Sequence, residues 1–180
     1  MPQGVTIWLT GLSGAGKSTI AGQLRDELVA RGRAVEILDG DEVREYLSAD
    51  LGFSRADRDT NIARIAFVAK LLTRNGVIAI TAAISPYAAA REAARATIGD
   101  FVEVYVRCPL DELARRDPKG LYARALRGEI AHFTGVNDPY EEPATPEVIV
   151  DSRGQTVAQS VAAILEHLQS AGYLGAAVAA

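Results

Sequence analysis

Gly11-Leu12-Ser13-Gly14-Ala15-Gly16-Lys17-Ser18, with Thr19 after it, is a complete G-x-x-x-x-G-K-[ST] phosphate loop, and its flanks decide the fold. Before it, Val5-Thr6-Ile7-Trp8-Leu9 is an apolar, β-favouring run; after it, apolar residues from Ile20 to Val29 recur at helical spacing. A strand that enters a glycine-rich turn and a helix that leaves it let successive backbone N–H groups curl around a polyphosphate. Lys17 then reaches the β- and γ-oxygens and the Ser18 hydroxyl can ligate Mg²⁺. The positive end of the helix faces the same anion. The loop from Gly11 to Thr19 is therefore read as a nucleoside triphosphate site.

Working outward, Val35–Asp39, Val77–Thr81, Phe101–Val106 and Val148–Val150 join the first run as strands buried on both faces. Helical patterns separate them over Lys17–Arg31, around Asn61–Arg74 and over Ala88–Ile98, and Val157–Leu168 follows the last strand. Gly32 and Gly76 stand where helix-ending glycines belong. Alternation of this kind predicts an α/β fold: an open, doubly wound, mostly parallel five-stranded sheet that binds ligands at the carboxyl ends of its strands. Two segments depart from scaffold. Asp39–Arg58 is dense in charge, and Asp117–Glu147 holds four of the seven prolines, which reads as a lid between the fourth and fifth strands.

The chain has 180 residues, enough for one domain with a substantial core; residues 1–171 are assigned to it and 172–180 to a C-terminal tail. A net charge of −4 disfavours a general nucleic-acid binder. No apolar run is long enough to span a membrane, and the first one feeds the phosphate loop rather than a signal peptide, so a cytoplasmic location is expected. Lys17, Arg44, Arg58, Arg64, Arg115, Arg116 and Lys119 fall in or beside the unusual segments, as a polyanion pocket requires. Cys108, the one cysteine, reads as a buried structural thiol.

Asp39 and Asp41 close the second strand across from the loop, where one carboxylate can hold a magnesium-bound water and the other accept a hydroxyl proton. The alternative is that Asp41 merely caps the next helix. Arg58, Asn61 and Ile65 share a helix face, either as an anion and base grip or as an ordinary solvated surface. Ser85, in Ile84-Ser85-Pro86-Tyr87 at the end of the third strand, faces the ligand crevice. It can hold substrate, carry a phosphoryl group or cap the next helix; with no base beside it in the sequence, positioning is favoured over attack. Asp151-Ser152-Arg153-Gly154 has the D-x-x-G form of a GTPase switch, but no guanine-recognition Asn-Lys-x-Asp occurs.

Taken together these runs resemble the adenylyl-sulfate kinase family. Besides the phosphate loop, Leu38-Asp39-Gly40-Asp41-x-Val43-Arg44, Gly52-Phe53-Ser54-x-x-Asp57-Arg58-x-x-Asn61-Ile62 and Ile84-Ser85-Pro86-Tyr87 match in order. So do Arg116-Asp117-Pro118-Lys119-Gly120-Leu121-Tyr122 and the run from Phe133 to Pro143. The resemblance implies a fold of the P-loop kinase type and transfer of the ATP γ-phosphate to the 3′-hydroxyl of adenosine 5′-phosphosulfate (APS). By the same resemblance Lys17, Asp41 and Ser85 take the catalytic positions, with Ser85 at the family's proposed phosphoserine. Ser18 and Asp39 are assigned to Mg²⁺. The substrate set is Asp41, Arg44, Phe53, Arg58, Asn61, Ile84, Ser85, Lys119, Leu121 and Phe133, with Phe53 and Phe133 sandwiching the adenine. A homodimer with a functional link to sulfate adenylyltransferase is also implied. Ala63, where the family usually has arginine, and Asn137, for a frequent aspartate, depart from the pattern. The competing readings are another small-molecule kinase of this fold and a non-catalytic nucleotide switch.

Overall fold

A computed structural model of the chain describes residues 3–175. Five strands form one parallel sheet in the order β2-β3-β1-β4-β5: β1 Val5–Thr10, β2 Val35–Asp39, β3 Ile78–Ala82, β4 Phe101–Arg107 and β5 Val148–Asp151. The helices are α1 Lys17–Ala30, α2 Gly40–Tyr46, α3 Arg55–Arg74, α4 Ala88–Ile98, α5 Leu110–Arg116, α6 Leu121–Leu126 and α7 Val157–Ser170.

Period-two alternation in fully buried strands assigns the two faces of the sheet. Val5, Ile7 and Leu9 of β1 join Ile78 and Ile80 of β3 and Val102, Val104 and Val106 of β4 in a core closed by α1 and α7. Trp8 points the other way, into a smaller cluster with Ile62, Ile65 and Ala66 of α3, Ala94 of α4 and Phe101. Its ring stacks on Phe101 at 5.5 Å between centroids. Burying a side chain such as Ile7 or Leu24 contributes roughly 1.5–3 kcal/mol, so β1, flanked by strands and covered on both faces, is strongly held.

The predicted strands and the four major helices are all present, and Gly32 and Gly76 follow α1 and α3 with φ of 72° and 81°. Three short helices were not predicted: α2 and α6 lie within the two segments set apart as non-scaffold, and α5 precedes the lid. The charge-rich stretch after β2 becomes helical because Asp39 caps α2, accepting the Asp41 N–H at 2.9 Å. Asp39, not Asp41, is therefore the cap. Tyr173 and Leu174, counted with the tail above, pack on the α1/α7 side of the core. Residues 176–180 of that tail lie outside the described residues. Cys108 is buried in the core. No helix among the described residues is long and apolar enough to cross a membrane.

Candidate active site

The carboxyl ends of β1, β2 and β3 open into a cleft of about 450 Å³, with the phosphate loop on one side and α2, α3 and the Lys119 segment around the other. Parallel strand order puts it there: β1 and β3 are neighbours whose following segments leave on opposite faces of the sheet. Ser13, Gly14, Gly16, Lys17, Ser18 and Thr19 line the nucleotide side. Gly11, Leu12 and Ala15 shape the loop from behind. Gly11 has φ 152°, and a Cβ on it would stand 2.4 Å from the Val106 carbonyl oxygen, so no other residue fits between β1 and β4.

Lys17 is buried and donates to the Gly11 and Leu12 carbonyls, each at 2.8 Å. Burial lowers its pKa from 10.5 to about 8, against the pull of Asp39 and Asp41. A polyphosphate beside it favours the charged form, so nucleotide binding at pH 9 should take up a proton at Lys17 and weaken as pH rises through 8. Calorimetry in buffers of different ionisation enthalpy reads this; proton-neutral binding at pH 9 would contradict it. The linkage to stability has the opposite sign, because folding releases the proton that nucleotide binding takes up. Between pH 8 and 10.5 the unfolded chain binds the extra proton, so the Lys17 contribution to stability rises with pH there.

Ser18 Oγ donates to Asp39 Oδ2 at 2.6 Å. A hydroxyl and a carboxylate in contact are hard oxygen donors suited to Mg²⁺, which takes its remaining ligands from water and substrate phosphates. Asp41 is well exposed beyond the Asp39 cap and pairs with Lys119 at 3.2 Å. The lid lysine and the candidate base thus meet across the cleft mouth.

The acceptor side is cationic with an aromatic floor. The Arg44 and Arg58 guanidinium carbons lie 4.9 and 5.7 Å from the centre of the Phe53 ring, which is 59 % exposed. Burial and then the Arg58 charge lower the Arg44 pKa. Two facing cations that destabilise each other are relieved by an anion. Asn61 is buried on the same wall with its Oδ1 unpaired, an acceptor left for a ligand donor.

Arg58 also does something the sequence does not reveal. Its Nε donates to the Phe53 carbonyl at 2.9 Å, its Nη1 to Thr134 Oγ1 at 2.8 Å, and its Nη2 to the His132 carbonyl and to Asp138. It joins α3 to the lid while lining the cleft. Leu121 and Ile84 complete the wall.

Ser85 lines the cleft but is 2 % exposed, with φ 49°, a left-handed backbone unusual for serine. Its Oγ accepts the Trp8 indole N–H at 3.0 Å and donates to the Ala83 carbonyl at 3.3 Å. Neither partner is a base.

Two expectations change. Phe133 is not on the cleft wall: it packs against the core and edge-on to Tyr122, with centroids 5.0 Å apart. Of the seven clustered cations only Lys17, Arg44, Arg58 and Lys119 line the cleft. Arg64 is taken by Asp50, and Arg115 and Arg116 by Glu112. Nearby carboxylates on their own or adjoining elements outcompete a cleft that they would have to reach across solvent. Tyr122 is the main residue missed: its Oη donates to the Ser13 carbonyl at 2.5 Å, pinning α6 to the phosphate loop. Asp117, which accepts the Tyr122 and Ala123 N–H groups, caps that helix. The only sign of either in the sequence is their place in the Arg116–Tyr122 run.

Comparison with known proteins agrees with this geometry. Residues 3–151 match the family model described as adenylylsulphate kinase. The chain belongs to the adenylyl-sulfate kinase family. It is 56 % identical to an adenylyl-sulfate kinase of Rippkaea orientalis, covering 98 % of each chain. A probable bifunctional SAT/APS kinase of Sorangium cellulosum is 58 % identical over 98 % of this chain, which spans 31 % of that longer protein. Among solved structures, the Mycobacterium tuberculosis APS kinase in complex with AMPPNP and APS superposes with a TM-score of 0.90 at 42 % identity, covering 94 % of this chain and 99 % of that one. For an adenylyl-sulfate kinase, the two sides of the cleft are a nucleotide side and an acceptor side.

Proposed function

We propose that this chain transfers the γ-phosphate of ATP to the 3′-hydroxyl of APS, giving 3′-phosphoadenosine 5′-phosphosulfate and ADP. The observation that carries the reading is the pairing, across one cleft, of a phosphate loop with the Arg44–Phe53–Arg58 cluster. Arginines beside an exposed aromatic face suit a nucleotide bearing a phosphosulfate, whereas a sugar acid offers no flat ring to stack.

In this reading Lys17 follows the charge onto the transferring group. Asp41 takes the proton as the 3′-oxygen bonds to the γ-phosphorus and the β–γ bridging oxygen leaves with ADP. Ser18 and Asp39 would hold Mg²⁺ together with the nucleotide, and the ion would supply charge neutralisation to the phosphates. Lys119 closes the lid over the phosphates. Arg44 holds the phosphosulfate, while Arg58 divides its donors between substrate and lid. Asn61 receives a donor from the base or ribose, and Ile84 and Leu121 supply apolar contact.

Ser85 positions and does not carry the phosphoryl group, since its hydroxyl is committed to Trp8 and Ala83. Ser85→Ala leaves the buried indole N–H unpaired, a loss of about 1–3 kcal/mol. Turnover should remain measurable and thermal stability should drop. Complete inactivation of a folded variant would contradict this.

Phe53→Ala should weaken APS binding about tenfold, in line with roughly 1–3 kcal/mol per stacked base, and leave ATP binding unchanged. Phe133 completes a sandwich only by leaving Tyr122, so Phe133→Ala should cost less APS affinity than Phe53→Ala. Equal losses for both ligands would mean that neither ring is a contact specific to the acceptor.

The reading also places the enzyme in the cytoplasm as a single-domain homodimer working with sulfate adenylyltransferase. The fused Sorangium relative supports that last link. ADP release measured across APS, AMP, gluconate and shikimate tests the function. APS alone should support rapid release, and preference for another acceptor would overturn the assignment.

A further inference from the structure

The run Asn137-Asp138-Pro139-Tyr140-Glu141-Glu142-Pro143 supplies no group to the chemistry above, yet its polar atoms reach three separate elements. Tyr140 Oη lies 2.9 Å from Oγ1 of Thr10, the last residue of β1 and the neighbour of Gly11. Thr10 gives its one hydroxyl proton to the Ile84 carbonyl at 2.6 Å, so Tyr140 must be the donor to Thr10. Burial pushes the Tyr140 hydroxyl up to about 12, which keeps that proton in place at neutral pH.

The next residue grips the far side of the same loop. The Glu141 N–H donates to the Pro86 carbonyl at 2.8 Å, and its carboxylate accepts the Ala88 N–H at 2.7 Å. Its carbonyl accepts Arg91 Nη2 at 2.7 Å. Arg91, 3 % exposed, also donates to the Ser85 carbonyl at 2.6 Å and to Glu103 at 2.8 Å. The left-handed Ser85 is thus held on both sides by bonds that run to residues 140 and 141.

We infer that Tyr140 is a positioning residue that ties the phosphate loop to the acceptor-facing loop Ile84–Pro86, so that nucleotide occupancy is felt at the acceptor site. This rests on the proposed function for the identity of the ligands at the two ends. In the relay Tyr140–Thr10–Ile84, Thr10 stands one residue before the nucleotide loop and Ile84 one residue before Ser85. Apart from it, the direct link between the two loops is the long Gly11 N–H to Ile84 carbonyl contact of 3.5 Å. Spatial continuity alone is not coupling, so the test must read the response of one loop to a ligand at the other.

Tyr140→Phe removes the hydroxyl and keeps the ring, which stacks with Tyr105 at 6.1 Å. Amide hydrogen exchange at Ser85, Tyr87 and Ala88 is followed in wild type and variant, with and without AMPPNP, beside steady-state kinetics in ATP and APS. In the wild type AMPPNP should slow exchange at these amides. The variant should lose most of that slowing while its AMPPNP affinity stays within about threefold. Its KM for APS should rise about three- to tenfold, the weight of one neutral hydrogen bond, with kcat little changed.

An unaltered exchange response or an unaltered KM for APS would overturn the inference. So would a parallel loss of ATP and APS affinity that follows a lowered melting temperature, which marks a merely structural contact. The exchange arm needs no turnover. A wild-type chain that answers AMPPNP at Ser85 but does not phosphorylate APS defeats the functional reading alone, and one that turns over with no such answer defeats this inference alone.

Discussion

Lys17→Ala should lose turnover by a factor of several hundred or more while the chain stays folded. Its ammonium is the one phosphate-loop side chain able to follow negative charge onto the transferring group, and preorganised electrostatic contacts of this kind are worth on the order of 3–4 kcal/mol. The fold should tolerate the change. Lys17 sits on the cleft wall, bonded only to the Gly11 and Leu12 carbonyls, and its burial already works against its charge. Removing it takes away a desolvated cation, so melting temperature should hold or rise as kcat collapses. Near-normal turnover in a folded variant would mean that the nucleotide binds elsewhere.

Asp41→Asn should lower kcat by about 10²–10⁴, the usual weight of a positioned general base. Asparagine keeps the size of the side chain and removes the acceptor for the 3′-hydroxyl proton. Little stability is at stake, because the Lys119–Asp41 pair is exposed at 3.2 Å and exposed pairs contribute between nothing and about 1 kcal/mol. The Asp39 cap of α2 is untouched, since it uses the Asp41 backbone N–H rather than its carboxylate. A large kcat loss with unchanged KM for APS and unchanged melting temperature is the expected signature. A Lys119→Met variant separates the two ends of the pair: the lid lysine should affect phosphate affinity more than the proton transfer. If Asp41→Asn retains full kcat, the base lies elsewhere.

The three central strands were legible because they are buried on both faces, whereas β2 and β5, at the sheet edges, are only partly buried and read as strands from their apolar runs alone. Val5–Leu9 and Phe101–Val106 read as strands from their apolar runs alone, and the glycines after α1 and α3 marked where those helices stop. The short helices were hidden because local bonds, not apolar periodicity, make them. α2 depends on the Asp39 cap and α6 on Asp117, and each is too short to present a repeating apolar face.

The nucleotide side could be read residue by residue, since a phosphate loop is a local object whose chemistry follows its own sequence. The acceptor side is assembled from α2, α3 and the β3–α4 loop, and only the family resemblance gathered Arg44, Phe53 and Asn61 into one set. What sequence could not give was the partner of each long side chain. Arg58 reaches residues 132, 134 and 138, and Arg91 reaches 85, 103 and 141; both choices depend on tertiary folding. The Tyr122 partner of Phe133 was hidden for the same reason, because a ring can pack on another ring as readily as on a base.

Whether the phosphoryl group passes directly to the 3′-hydroxyl can be read from the enzyme and its product together. Wild-type protein is first incubated with γ-labelled ATP alone, then given APS, and protein and nucleotide are analysed by mass spectrometry and phosphorus NMR. No label should appear on the protein before APS is added, and afterwards a single new phosphomonoester should couple to the ribose 3′ carbon. A phosphoserine at Ser85 that forms with ATP and discharges to APS at the rate of turnover, or a product phosphorylated at any other position, would contradict direct transfer to the 3′-hydroxyl.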